Sequence, residues 1–172
     1  VSELRDHLAS AAAGRPLSLH LAPGVSFHLG GRPIIIGPAM HVTLWSEGEG
    51  ATLDAGGRGR VVEVSGGGQL TMSRVHLKGG RIEGHAVHGG CVYMGLDAAN
   101  RFAFASGRIS QCVAVGSDSA AGGGVYVGGG EATLTNTTIS GTTASSDSGY
   151  ADGGGVFVDG GAATLTNTTI SG

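Results

Sequence analysis

The stretch Gly122–Gly141, GGGVYVGGGEATLTNTTISG, returns 31 residues later at Gly153–Gly172 as GGGVFVDGGAATLTNTTISG. A period of about 20 to 50 residues means stacked units, each burying its apolar face against its neighbours. Val125-Tyr126-Val127 and Thr133-Leu134-Thr135 alternate, are rich in β-branched residues and lie between glycines. That is the grammar of short strands, and no run in the repeat is long enough for a helix. The expected fold is all-β: a parallel β-helix whose equivalent strands lie about 4.8 Å apart.

Older copies fall on the same register. Gly68–Met72 aligns with Gly130–Leu134 two periods on, and Ala103-Phe104-Ala105 with Ile109-Ser110 fills the coil between. The expected inward columns are Met72, Phe104, Leu134, Leu165 and Leu77, Ile109, Ile139, Ile170. The second strand gives Val62/Val64, Val92/Met94, Val125/Val127 and Val156/Val158. The 172 residues make a single β-helix domain: a capping helix over 1–14, irregular first coils over 15–60, and regular coils over 61–172. The last coil reads as truncated at the C-terminus, part of a longer repeat chain.

The helix is read from Ser2 as N-cap, Glu3 in the first turn and one face of Leu4, Leu8 and Ala11/Ala12. Gly14 and Pro16 stop it. A stack of coils has an open apolar end, and the helix is expected to cover it. His20, His28 and His41 have spacings that match no period, so they read as outward or loop residues instead of metal ligands.

With 35 glycines the chain could be disordered or collagenous, but the glycines cluster at strand ends and 40% of residues are apolar. A net charge of −3 and no basic cluster argue against a nucleic-acid surface. No apolar run approaches the roughly 18 residues of a membrane span. Cys91 and Cys112 occupy different register positions, aligned with Gly124 and Thr142. That argues against a bridge and for two small buried side chains.

Three long polar segments, 79–90, 111–124 and 141–155, sit at one place in the register. They read as solvated loops, and their shared side makes them a candidate binding face. They carry His85, His88, Asp118, Asp147, Tyr150 and Asp152. The outward position of the Val-x-Val strand reads Glu63, Tyr93, Tyr126, Phe157. With Tyr150 these aromatics form a candidate glycan platform, or a column that only stabilises the sheet. Asn136 and Asn167 share a bend position above Arg74 and Ser106. Each lies in Asn-Thr-Thr, so they are glycosylation candidates or rungs of an Asn ladder.

Gly50-Ala51-Thr52-Leu53-Asp54, the Val61–Gly79 coil and the capping helix resemble the right-handed parallel β-helix, or pectin-lyase-like, superfamily. Gly123-Gly124-Val125-Tyr126 and Leu165–Gly172 resemble the repeats of polymorphic outer-membrane and autotransporter-type surface proteins. Gly124 and Gly155 depart from those repeats by replacing an Ala. The resemblance implies a secreted or cell-surface location and a right-handed coil. The superfamily's enzymes cleave acidic polysaccharides, with calcium-holding Asp residues and an Arg base, or with paired Asp residues, Gly-His-Gly and Arg-Ile-Lys. Here Gly84-His85-Ala86 and Arg108-Ile109-Ser110 each miss their motif by one residue, and no Asp-Asp occurs.

The expected function is therefore a non-catalytic, adhesive or structural repeat region without cofactor or metal, contacting a polysaccharide or cell-surface glycan. The alternative is a polysaccharide lyase or glycosidase using His85, His88, Asp118, Asp147 and Asp152, with calcium only in that case.

Overall fold

The computed structural model describes residues 2–11 and 14–172. It is an all-β parallel solenoid with one short N-terminal helix. Each coil runs through three strands, one in each of three parallel sheets. Sheet A stacks Leu17–His20, His41–Trp45, Gln69–Ser73, Arg101–Ala105, Glu131–Thr135 and Ala162–Thr166. Sheet B stacks Ser26–His28, Ala51–Asp54, Val75–Lys78, Arg108–Ser110, Thr138–Ser140 and Thr169–Ser171. Sheet C stacks Ile34–Ile36, Val62–Val64, Val92–Met94, Val125–Val127 and Val156–Val158. The first two coils use the same three sheets as the rest. They are shorter because they lack the excursion described below.

Alternation on every strand builds the core. Leu44, Met72, Phe104, Leu134 and Leu165 pair in order across sheet A, and Leu53, Leu77, Ile109, Ile139 and Ile170 across sheet B. All but Leu165 and Ile170 of the last coil, which are 41% and 49% exposed, are fully enclosed, and each enclosed side chain contributes roughly 1.5–3 kcal/mol by burial. In the four later coils sheet A turns into sheet B through one residue of left-handed backbone. The bend column is Arg74, Ser106, Asn136 and Asn167, with φ of 53°, 55°, 51° and 48°. Asparagine tolerates that conformation best among non-glycine residues. Between sheets C and A the buried Asn100 holds the turn: its amide donates to the Gly95 carbonyl and its oxygen accepts from Gly67 N.

The helix Ser2–Ala11 lies over the first coil, with Leu4 and Leu8 buried in the main core. Arg5 ties it down by donating to the carbonyls of Leu29, Arg32 and Pro33. The N-cap role of the Ser2 side chain and the inward part of Ala11 and Ala12 lie outside the described residues. No helix among the described residues is long and apolar enough to cross a membrane.

The three polar segments are not loops. They form a fourth sheet, an arm that leaves the end of sheet B, turns, and returns to the start of sheet C. Its tiers are Arg81–His88, Val113–Ala121, and Thr143–Ser146 with Tyr150–Asp152. The outgoing half Val113–Gly116 pairs with Arg81–Gly84 below and Thr143–Ser146 above. The returning half Ser119–Ala121 pairs with Ala86–His88 and Tyr150–Asp152. Between the halves lies a small core of Val87, Ala114 and Ala120, flanked by Ile82 and Ala144. Stacking supplies what the composition lacks: each tier's backbone groups are paired by the tiers beside it.

The arm also corrects the reading of the cysteines. Cys91 and Cys112 form a disulfide, with Cα atoms 5.3 Å apart. Register position measures distance along the coil, but an out-and-back arm begins and ends at the same place. Cys91 sits where one tier returns and Cys112 where the next departs, so the bond clasps two consecutive coils at the arm's root.

Candidate functional site

The strongest constellation lies where the returning half of the arm meets sheet C. The register stacks Ile35, Glu63, Tyr93, Tyr126 and Phe157 outward on sheet C. Tyr93 and Tyr126 have ring centroids 5.5 Å apart and planes 4° from parallel, and Tyr126 and Phe157 follow at 5.9 Å and 16°. The rings therefore face one another along the solenoid axis. Tyr126 is only 4% exposed, whereas Tyr93 and Phe157 are half-buried. Tyr150 stands on the arm, 80% exposed and outside this column.

Two side chains from the arm side close over the column. His88, the last residue of its tier, stacks on Tyr126 at 4.5 Å. Arg60 donates two hydrogen bonds to the His88 carbonyl, at 3.0 and 2.9 Å. Its guanidinium also lies 4.8 Å over the Tyr93 ring and 4.0 Å from Glu63 Oε2. Burial pulls the Arg60 guanidinium below its usual pKa, against the attraction of Glu63. Burial, then the charge of Arg60, likewise lowers His88, whose Nδ1 is enclosed without a partner. Both effects favour the neutral ring, which suits an imidazole stacked beside a cation.

The Tyr126 hydroxyl donates to Asp159 Oδ2 at 2.9 Å. Burial and this bond push the Tyr126 pKa up to about 12. Sequence reasoning missed Arg60 and Asp159. Arg60 belongs to a coil without an arm. Asp159 aligns with Gly128, and that substitution between otherwise matching copies was the available signal.

The five residues of the catalytic alternative separate into two groups. His85, Asp118 and Asp147 are at the tip, where His85 Nδ1 lies 3.3 Å from Ser117 Oγ and Nε2 lies 3.9 Å from Asp118 Oδ2. His85 is exposed there, on a side chain open to water. His88 and Asp152 are at the root, on returning strands. General acid–base work on a glycosidic bond needs two carboxylates fixed a few ångströms apart across one bond, and tip and root are opposite ends of the arm. Among the described residues no three His, Cys, Asp or Glu gather as a metal site.

Asn136 and Asn167 are exposed at the bend, and the Asn167 amide donates to Asn136 Oδ1 at 3.3 Å. They form the rungs of a short ladder. Comparison with protein-family models, curated proteins and solved structures finds no match. The functional reading accordingly stands on geometry and chemistry alone.

Proposed function

We propose that this chain is a non-catalytic β-helical scaffold of a secreted or cell-surface protein, adhesive or structural in role, which contacts glycans along the flank between its arm and sheet C. The observation that carries the reading is repetition in register: coil after coil adds an aromatic ring on sheet C beside another arm tier. Catalysis needs one unique arrangement of groups. A surface that repeats every coil suits a repeating ligand, because several weak contacts act together. Half-buried aromatic carbon at Tyr93 and Phe157, set among Arg60, His88 and Asp159, offers both apolar and hydrogen-bonding partners to a sugar. The disulfide supports the location, since such bonds persist in oxidising compartments. The pectin-lyase-like resemblance agrees with the coil but adds no residue to this site.

The purified chain on a glycan array, beside an unrelated β-solenoid, tests this. Binding above the control is expected, lost on Tyr93→Ala and Phe157→Ala. Signal no higher than the control, or release of new reducing ends from any bound glycan, would overturn it.

A further inference from the structure

The arm has a second flank. Where its outgoing half leaves sheet B, a corner cleft of about 470 Å³ is lined by Lys78, Arg108, Ser110, Gln111, Ser140 and Gly141. Alternation sets this lining. Leu77, Ile109 and Ile139 point inward and are fully buried, so their neighbours on the same strands point outward. Register stacks Lys78 beneath Ser110 and Ser110 beneath Ser140. Arg108 shares a strand and a face with Ser110. It is therefore diagonal to Lys78, a separation of about 7–8 Å that long side chains span. Gln111 adopts left-handed backbone, φ 55°, as the chain turns from sheet into arm.

Neither cation of this cleft is held in an ion pair; Asp54, which stands beneath Lys78 in the register, pairs instead with His28 at 3.8 Å. Among the described residues the arginine ion pairs join Arg60 to Glu63, Arg81 to Glu83 and Arg101 to Glu131, and neither Lys78 nor Arg108 takes part in one. No carboxylate lines the cleft. On a chain of net charge −3, two neighbouring cations, two hydroxyls and an amide line one cleft that holds no carboxylate. Like charges this close repel, and an anion between them removes that cost.

We infer that this corner binds a tetrahedral oxyanion, a sulfate or phosphate ester carried on a longer molecule. A planar carboxylate is satisfied bidentately by one guanidinium. Here the donors come from the coil below, from the same strand and from the coil above, which matches oxygens arranged around a tetrahedral centre. The column from Lys78 to Ser140 spans three coils, roughly 10 Å. That is longer than a free ion and fits an ester on a chain. This inference goes beyond the glycan reading, which concerns the opposite flank of the arm.

Titration calorimetry of the full chain at low salt against dextran sulfate, dextran phosphate and polygalacturonate tests it. At least one dextran ester is expected to bind ten or more times tighter than the polyuronate, and the tighter of the two names the ester. Lys78→Ala with Arg108→Ala should weaken that binding at least tenfold. Arg15→Ala, which removes one charge far from the corner, should leave it unchanged. Both substituted side chains are exposed, and an unchanged melting temperature checks that the double variant folds. Failure of both dextran esters to bind, equal binding of polygalacturonate, or a double variant that binds like the parent would overturn the proposal. Tyr93→Ala reports separately on the other flank.

Discussion

The copies Gly122–Gly141 and Gly153–Gly172 differ at three positions, yet their surroundings are opposite. Leu134 and Ile139 are fully buried, whereas Leu165 and Ile170 are 41% and 49% exposed. The lower copy is covered on both sides and the upper on one. A side chain's burial is thus a property of the stack, not of the coil that carries it. The differences themselves are neighbour effects. Tyr126 and Asp159, two of the divergent residues, bond to each other across coils. A side chain at Gly128 would meet the Tyr126 ring and the Met94 carbonyl, both at 2.9 Å. Glu131 pairs with Arg101 below at 3.3 Å, and Ala162 stands directly above Glu131.

The largest test of this comparison is the leucine pair. Leu134→Ala should cost about 3 kcal/mol, within the usual range for buried leucine, whereas Leu165→Ala should cost about 1 kcal/mol. Urea unfolding measures both, and equal costs would refute the neighbour argument. Next is the clasp, which ties the third coil to the fourth and has no counterpart above, where Gly124 and Thr142 stand. Replacing Cys91 and Cys112 by Ala opens a link across 21 residues. It should lower stability by about 3 kcal/mol. A loss below the error of denaturant melts would show that the stacked arm alone holds the two coils.

The glycine pair separates the copies by a smaller margin. A Cβ at Gly124 would lie 2.5 Å from the Gly155 carbonyl oxygen, a backbone atom that cannot move aside. At Gly155 it would meet mainly Ile170 Cγ2, at 2.6 Å, on a half-exposed side chain. Gly124→Ala should cost about 1–3 kcal/mol and Gly155→Ala under about 1 kcal/mol.

Legibility follows the same division. The apolar columns could be read because alternation recurs at a fixed offset, so Leu77, Ile109 and Ile139 announce one another. The arm could not be read as strands. Its tiers are rich in Ser, Ala, Gly and charged residues whose pairing partners lie a full coil away, and its core is little more than Val87, Ala114 and Ala120. The disulfide was hidden for a related reason: linear register is silent about a segment that folds back on its own root. Of the candidate site, the aromatic column was visible as a repeat. Arg60 lies before the first arm tier, and the column of His88 reads Ala121 and Asp152 above it, so no aromatic repeat marks the pair and only the folded arm brings them together.

Tyr126→Phe makes the lower copy match Phe157 and tests the coupling of the divergent positions. The folded pKa, about 12, lies above the ordinary value of 10. The folded state therefore holds the phenolic proton more tightly than the unfolded chain does. The stability so linked is fully present below pH 10 and is lost as pH rises from 10 towards 12. Melting curves across that window should fall less steeply for Tyr126→Phe than for the parent. Parallel slopes would mean that burial and the Asp159 bond together do not hold the phenolic proton.

The asparagine pair should show almost no difference between the copies. Asn136 and Asn167 both adopt left-handed backbone, at 51° and 48°, and share one side-chain bond. Replacing either by Ala removes that bond and places a Cβ-bearing residue of low tolerance in the left-handed region, at about 1 kcal/mol. That cost is local and is the same whether or not another coil lies above. Thermal unfolding of Asn136→Ala and Asn167→Ala should therefore give nearly equal shifts, in contrast to the leucines. A gap as wide as the leucine gap would mean that the last coil opens by itself before the stack unfolds. The small cost of Leu165→Ala would then reflect fraying as well as exposure.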